Sequence, residues 1–468
     1  MIYCGNGVFF RVKNGHCAPR FVSFCSMYGD VLLYPVDDSG LAVRGEFVSG
    51  GARGAPCVSR GGRGRPKSAS SRTTGRDGGR GVGWCRVRIA LVILHADPKR
   101  GGAERYTVDL ASALRGRGHS VSLVATSFAE RHADDLLLEV GRGTRVGKYT
   151  HFLNQLDSTL DEGRGFDIVH AMLPVRRCDV YHPHAGIAAE AVERGHLKHD
   201  GTVAQIAARV GNRMNLRRQK FAAVERALLE GNGPPIVLCL SEYVKKEVTA
   251  HYPLPADRLA TLFNAVDLKK FDPDARPEAR DEVRRRLGIA DDDVMALMIA
   301  QDFARKGLAV AIEAVAKCAD SRLKLVVVGR DDPSAYQRQA EAAGISKQVI
   351  FAGPTDDPYS FYRAADFFVL PTRHDPCSLV VLEALAMGLP VISTRFNGAC
   401  EIMESGKHGF VLENPTDSDA LAAAMKSLTG AKPRSEMGRA CRELRNRLSY
   451  DFHVDQLLKI YGTTASPA

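Results

Sequence analysis

HDPCSLVVLEALAMGLPVIST, residues 374–394, reads as a loop, a helix and a strand in that order. Ser378-Leu379-Val380 open the helix that carries Glu383, and PVISTR (390–395) returns as a strand. Upstream, VMALMIAQ (294–301) is a strand, KGLAVAIEAVAKCA (306–319) a helix, LKLVVVGR (323–330) a strand and YQRQAEAAG (336–344) a helix. QVIFAG (348–353), FYRAADFFVLPT (361–372) and GFVLE (409–413) continue the alternation.

An earlier series of the same kind begins at Arg86. VRIALVILH (87–95) is a continuous apolar run, as expected of a parallel strand buried on both faces. The loop DPKRGGAER (97–105), an amphipathic helix with Val108, Leu110, Ala111 and Leu114, the stop RGRGH (115–119) and the strand VSLVATS (121–127) make a β-α-β unit. FDIVHAM (166–172) and PPIVLCLS (234–241) extend it. Each series builds an α/β, doubly wound, Rossmann-like sheet whose ligands bind at the carboxyl ends of the strands, and two in tandem face each other across a cleft. The expected organisation is a low-complexity extension (1–86), a first domain (87–270) and a second domain (271–450). FDPDARPEARDE (271–282) is the crossover, and a last helix (451–468) returns to the first domain.

The 468 residues carry a net charge of +10, but twelve Arg and two Lys against four Asp and one Glu fall in residues 1–88, which leaves the remainder within one charge of neutral. The basic excess sits in the Gly/Arg/Ser-rich segment Gly50 to Gly83, whose composition cannot bury enough apolar surface to fold. Its Arg-Gly content also suits an RNA-binding tail, but the near-neutral remainder gives no reason to expect a nucleic-acid partner. Removing residues 1–85 is therefore expected to leave melting temperature and turnover unchanged; a melting temperature lower by many degrees would contradict this. The eleven cysteines are odd in number and form no C-x-x-C pair, which argues for a reducing compartment and against a zinc site. No run of about eighteen apolar residues is present to span a bilayer.

Four segments carry chemistry. In the 374–394 stretch, the helix start at Ser378, Leu379 and Val380 offers backbone N–H groups and a positive dipole end to a pyrophosphate. Glu383 can accept from ribose hydroxyls, and Asp375 can reach a hexose. In IAQDFARKGLAVAIEAV (299–315), Arg305 and Lys306 place two cations at a helix start, where Lys306 can neutralise a departing diphosphate. Gly101-Gly102 of the third segment let the backbone approach a ligand, without the G-x-G-x-x-G pattern of a nicotinamide site. In DVYHPHAG (179–186), strand-like alternation aims His182 and His184 the same way.

The spacing of Asp375 and Glu383, eight apart in this context, resembles the acidic pair of the retaining GT-B glycosyltransferases of family four (glycosyl transferases group 1), where the first position is normally Glu. That resemblance implies the GT-B fold, a nucleotide-sugar donor as co-substrate, no cofactor or metal, and retention at the anomeric carbon. It gives Lys306, and more weakly Arg305, the diphosphate, since the family's arginine just after the strand is here Ala300 or Gln301. It also sets the Gly101-Gly102 loop against donor phosphates and acceptor, and a histidine, His184, near the reacting sugar. Over residues 87–463, DVY (179–181), VERALL (224–229), LSEYVKKEVTAHYPLPADR (240–258) and AQDFARKG (300–307) are similar to the branch that glucosylates heptose in lipopolysaccharide core. A glycan or glycolipid acceptor of the cell envelope follows, and a cytoplasmic enzyme working at the inner-membrane face.

One feature bears on that membrane. On a helix from about Gln205 to Leu229, Ile206, Val210, Met214, Phe221, Val224 and Leu228 share a face, flanked by Arg209, Arg213 and Lys220 with Arg217 close by. The pattern suits peripheral contact with anionic lipid, but suits better a core-facing stripe with basic stems along its rim. A sugar-nucleotide epimerase on the same scaffold, or a non-catalytic nucleotide-sugar- or RNA-binding protein, are the alternative functions.

Overall fold

The structure, a computed structural model, describes residues 21–25, 31–35, 86–163, 165–193 and 215–464. Gly50 to Gly83 lies outside the described residues, as do Ile206, Arg209, Val210, Arg213 and Met214 of the basic helix. Strands β1 (Phe21–Cys25) and β2 (Val31–Pro35) pair antiparallel, Phe21 opposite Pro35 and Cys25 opposite Val31.

From Arg86 onward two parallel sheets follow. The first contains β3 (Arg88–Val92), β4 (Ser120–Ala125), β5 (Leu136–Leu137), β6 (Ile168–Ala171), β7 (Val180–Tyr181), β8 (Ile236–Cys239) and β9 (Leu259–Thr261), in the order β5-β4-β3-β6-β7-β8-β9. The second contains β10 (Val294–Ile299), β11 (Leu323–Val328), β12 (Val349–Gly353), β13 (Phe367–Leu370), β14 (Val391–Thr394) and β15 (Gly409–Leu412), in the order β12-β11-β10-β13-β14-β15. Counted from its first strand, each sheet begins 3-2-1-4-5-6, the doubly wound order whose switch point opens a crevice at the strand carboxyl ends. With helices flanking two such sheets, the fold is GT-B.

The central strands read as unbroken apolar runs because both faces are covered. Ile89 to Val92 and Met295 to Met298 are wholly buried, as are Phe367 to Leu370. Short strands such as β5 and β9 lie at the edges, where there is less apolar signal. FYRAADFFVLPT is not one element: a helix, Pro358–Ala364, ends before β13 begins. At the break, the Asp366 carboxylate accepts from the Met295 N–H at 2.7 Å and from Arg280 and Arg284 at 3.0 and 3.2 Å, which ties the strand's start to β10.

The last helix, Tyr450–Thr464, places Val454, Leu457, Leu458 and Tyr461 in the apolar cluster of Ile89, Leu110 and Leu114, so the chain's end covers the first sheet. The basic helix is described over Leu216–Leu229. There Val224 and Leu228 are buried, and Phe221 stacks on Tyr149 at 4.2 Å. This part of the stripe faces the core. Among the described residues no helix is long and apolar enough to cross a membrane.

Candidate active site

A cleft of about 1300 Å³ lies at the carboxyl ends of both sheets. Gly101, Gly102, His184, Arg305, Lys306, Asp375, Ser378, Leu379, Val380 and Glu383 all line it. The loop between β3 and its helix is shorter than the sequence suggests, because the helix already starts at Gly102 and runs to Gly116. Ala103, Glu104 and Arg105 thus belong to a helical first turn, not to a loop. Gly102 faces the opposite helix, Leu379–Ala386: a Cβ there would stand 3.2 Å from the Leu379 side chain. Two helix N-termini therefore meet across the cleft. Gly101 is extended, at φ 179°, a conformation open to any residue.

The loop holding Asp375 is fixed by buried polar groups from both halves. Ser241 Oγ donates to the Pro376 carbonyl at 2.8 Å, and Asn264 Nδ2 to the Cys377 carbonyl at 3.0 Å. From behind, Asn397 Oδ1 accepts from the Ser378 and Ala399 N–H groups, each at 3.2 Å. Among the described residues no side chain caps the helix at Ser378, which leaves its positive end to the cleft.

The lysine and aspartate expected to meet different parts of a donor are joined to each other. Lys306 Nζ donates to Asp375 Oδ2, and both side chains are buried. Burial alone would push the Asp375 carboxyl up, but Lys306, Arg305 and Ser378 hold it below the usual carboxylate range, while burial lowers the Lys306 ammonium. Lys306 owes its position to Gly307, which takes φ 80° and packs so closely that a Cβ would lie 2.2 Å from the Pro371 carbonyl oxygen. Arg305 is partly committed, donating to the His374 carbonyl at 2.8 Å and to Asp302 at 3.2 Å.

Glu383 is likewise engaged. Arg105 Nη1 donates to Oε1 at 3.0 Å and the Tyr362 hydroxyl donates to Oε2 at 2.8 Å. Burial raises its carboxyl above the ordinary value, against the pull of Arg105 and Tyr362.

The two histidines are neighbours, their rings 5.1 Å apart, but differ in access to the cleft. His182 is wholly buried, its Nδ1 3.2 Å from His170 Nε2, and does not line the cleft. His184 does, its ring packed on Tyr106 at 4.6 Å. Both rings pack on Tyr106, so they share a side as the alternation predicts, and the chain turns only at His184 and Ala185. Burial pushes the His184 imidazole down to about 4, which keeps it neutral near pH 7, and its Nε2 has no hydrogen-bond partner among the described residues. Tyr106 is held from behind by His453 of the last helix, at 2.7 Å from its hydroxyl.

Arg105, Tyr362, Asn264 and Asn397 were not singled out from sequence. Only Arg105 left a signal there, next to the glycine pair. One turn further on, Asp109 also lines the cleft, and burial lifts its carboxyl from 3.8 to about 6. A raised folded-state value means that the ionised carboxylate opposes folding fully above about pH 6, and that the penalty fades as pH falls from 6 toward 3.8. Asp109→Asn is thus expected to gain about 2 kcal/mol in urea unfolding at pH 7 and little at pH 4. An equal gain at both values would refute the assignment.

Comparison with known proteins shows the family. Residues 100–270 match the model for Glycosyltransferase Family 4, and residues 279–444 that for Glycosyl transferases group 1. The lipopolysaccharide glucosyltransferase WaaG of Escherichia coli (strain K12) is 25% identical over 341 residues, covering 71% of this chain and 87% of its own. The D-inositol 3-phosphate glycosyltransferase of Thermobifida fusca is 26% identical over 420 residues, 80% of this chain and 93% of its own. The crystal structure of WaaG matches with a TM-score of 0.66 at 24% identity, over 80% of this chain and 99% of that one. Anabaena HepE in complex with UDP-glucose matches with a TM-score of 0.59 at 18% identity, over 81% and 100%. At these identities the two crystal structures speak for the fold.

Proposed function

Since the chain belongs to the glycosyltransferases of family 4 and group 1, we propose that it moves a hexose from a nucleotide sugar onto a cell-envelope glycan, with retention at the anomeric carbon and without a metal. The acceptor we assign is a lipopolysaccharide-core glycolipid, which sets the enzyme at the cytoplasmic face of the inner membrane as a peripheral protein. The nearness of WaaG in sequence, and the UDP-glucose in the HepE crystal, support this donor and acceptor class. One observation carries the reading: the open N-terminus of helix Leu379–Ala386, the Lys306–Asp375 pair and Glu383 all line one cleft, which His184 lines from the first domain.

In this reading the diphosphate lies on the backbone N–H groups at Leu379 and Val380, with Lys306 and Arg305 taking up the charge that grows as the glycosidic bond breaks. Glu383 accepts from the ribose hydroxyls, and Asp375 from a hydroxyl of the hexose. His184, neutral and with Nε2 unpartnered among the described residues, serves a sugar hydroxyl as hydrogen-bond partner and not as a cation. The acceptor then attacks the face that the nucleotide leaves, so the protein's work is positioning and charge stabilisation more than base catalysis.

The donor phosphates must compete for Lys306 with Asp375. Donor binding exchanges one anionic partner of the lysine for another and releases the aspartate toward the sugar. A thermal-shift panel of UDP, GDP and ADP with their sugars tests the donor site: one nucleotide family is expected to raise the melting temperature by several degrees. No shift with any of them would remove the reading.

A further inference from the structure

Glu383 is gripped from both halves of the molecule. Tyr362, on the helix Pro358–Ala364, belongs to the same half as Glu383; Arg105, on the helix Gly102–Gly116, reaches it from 278 residues away in sequence. Arg105 is steadied in turn, its guanidinium 6.0 Å from the centre of the Phe271 ring at the crossover, where the Lys270 ammonium stands at 5.8 Å. The arginine side chain is 26% exposed to the cleft and the carboxylate only 4%, so the contact joins open solvent to a buried anion.

We infer that Arg105 is a positioning residue for the nucleotide: from the first half it orients the Glu383 carboxylate so that the second half can recognise a ribose. The inference rests on the donor reading above. Each carboxylate oxygen has two lone pairs, and Arg105 and Tyr362 use one on each. The remaining pairs accept from the 2′- and 3′-hydroxyls in a fixed direction. Without the arginine, the buried carboxylate loses its charged partner, and burial favours the protonated form, which spends one oxygen as a donor. Nucleotide recognition thereby depends on the first half being in place.

The test is discrimination between a ribose and a 2′-deoxyribose. Affinities of the full chain for UDP and 2′-deoxy-UDP, with the guanine pair run beside them, are measured by calorimetry for wild type, Arg105→Gln, Arg105→Lys and Glu383→Gln. Wild type is expected to prefer the ribonucleotide about tenfold, as one hydrogen bond to a charged group supports. Arg105→Gln and Glu383→Gln should each bring that ratio close to one, while Arg105→Lys, which keeps the charge but not the planar fork, should retain an intermediate ratio. A merely structural role for Arg105 would weaken both nucleotides alike and leave the ratio untouched. If Arg105→Gln does not fold, an unchanged ratio in Arg105→Lys overturns the inference by itself. A tenfold ratio kept in Arg105→Gln but lost in Glu383→Gln overturns the inference and leaves the donor reading standing; a ratio kept in Glu383→Gln removes the ribose assignment and the inference with it.

Discussion

Lys306→Ala is expected to lower turnover about a hundredfold, the loss typical of removing one group that stabilises charge in a transition state. The ammonium sits at the N-terminus of the helix Leu308–Cys318, held by a glycine that no other residue can replace without displacing the Pro371 carbonyl. Its bond to Asp375 adds a second effect. Removing the lysine leaves a buried carboxylate without its partner, at a cost to stability of about 3 kcal/mol. The two effects separate in the double variant: Lys306→Ala/Asp375→Asn should recover most of the stability and none of the turnover. Urea unfolding and initial rates on the two variants check this. Turnover within a few-fold of wild type in Lys306→Ala would remove the lysine from the diphosphate site.

The acidic pair carries the second large effect. Glu383→Gln is expected to weaken binding of the bare nucleoside diphosphate about tenfold, because it disturbs the Arg105 and Tyr362 contacts that aim the side chain at the ribose. Asp375→Asn should change that affinity little, and slow transfer from the intact nucleotide sugar about a hundredfold, since the carboxylate is assigned to the group transferred. Asp375→Glu restores the commoner family residue. Its extra methylene has to fit beside Lys306 in a loop pinned by Ser241, Asn264 and Asn397, so donor preference should shift or turnover fall. Calorimetry with the nucleotide and initial rates on two donors cover all three variants. Loss of nucleotide binding in Asp375→Asn but not in Glu383→Gln would reverse the two roles.

The sheet strands were legible because a parallel strand covered on both faces must be apolar throughout, as Ile89 to Val92 and Phe367 to Leu370 are. The motifs were legible as one cleft because doubly wound topology delivers every strand-to-helix loop to the same edge. What the chain did not announce is which side chains meet across that edge. Lys306 and Asp375 stand 69 residues apart, and Arg105 and Glu383 278. Their pairing depends on how two sheets face each other, not on local pattern. His182 and His184 share a side, as period-two alternation predicts, but the pattern does not tell that His184 lines the cleft while His182 lies buried behind it. Gly102 stands in the first turn of a helix rather than in a loop: there the cost of glycine is small, and the missing Cβ admits Leu379.

Proton NMR of the reaction product decides between the proposed chemistry and its rivals. The full chain is incubated with the nucleotide sugar that gives the largest thermal shift, with and without a heptose-bearing lipopolysaccharide-core acceptor. The coupling constant of the new anomeric proton and the release of nucleoside diphosphate are then followed. Retaining transfer predicts acceptor-dependent release and a product with the anomeric configuration of the donor. An inverted product, or nucleotide released at the same rate without acceptor as an epimerase would do, contradicts it.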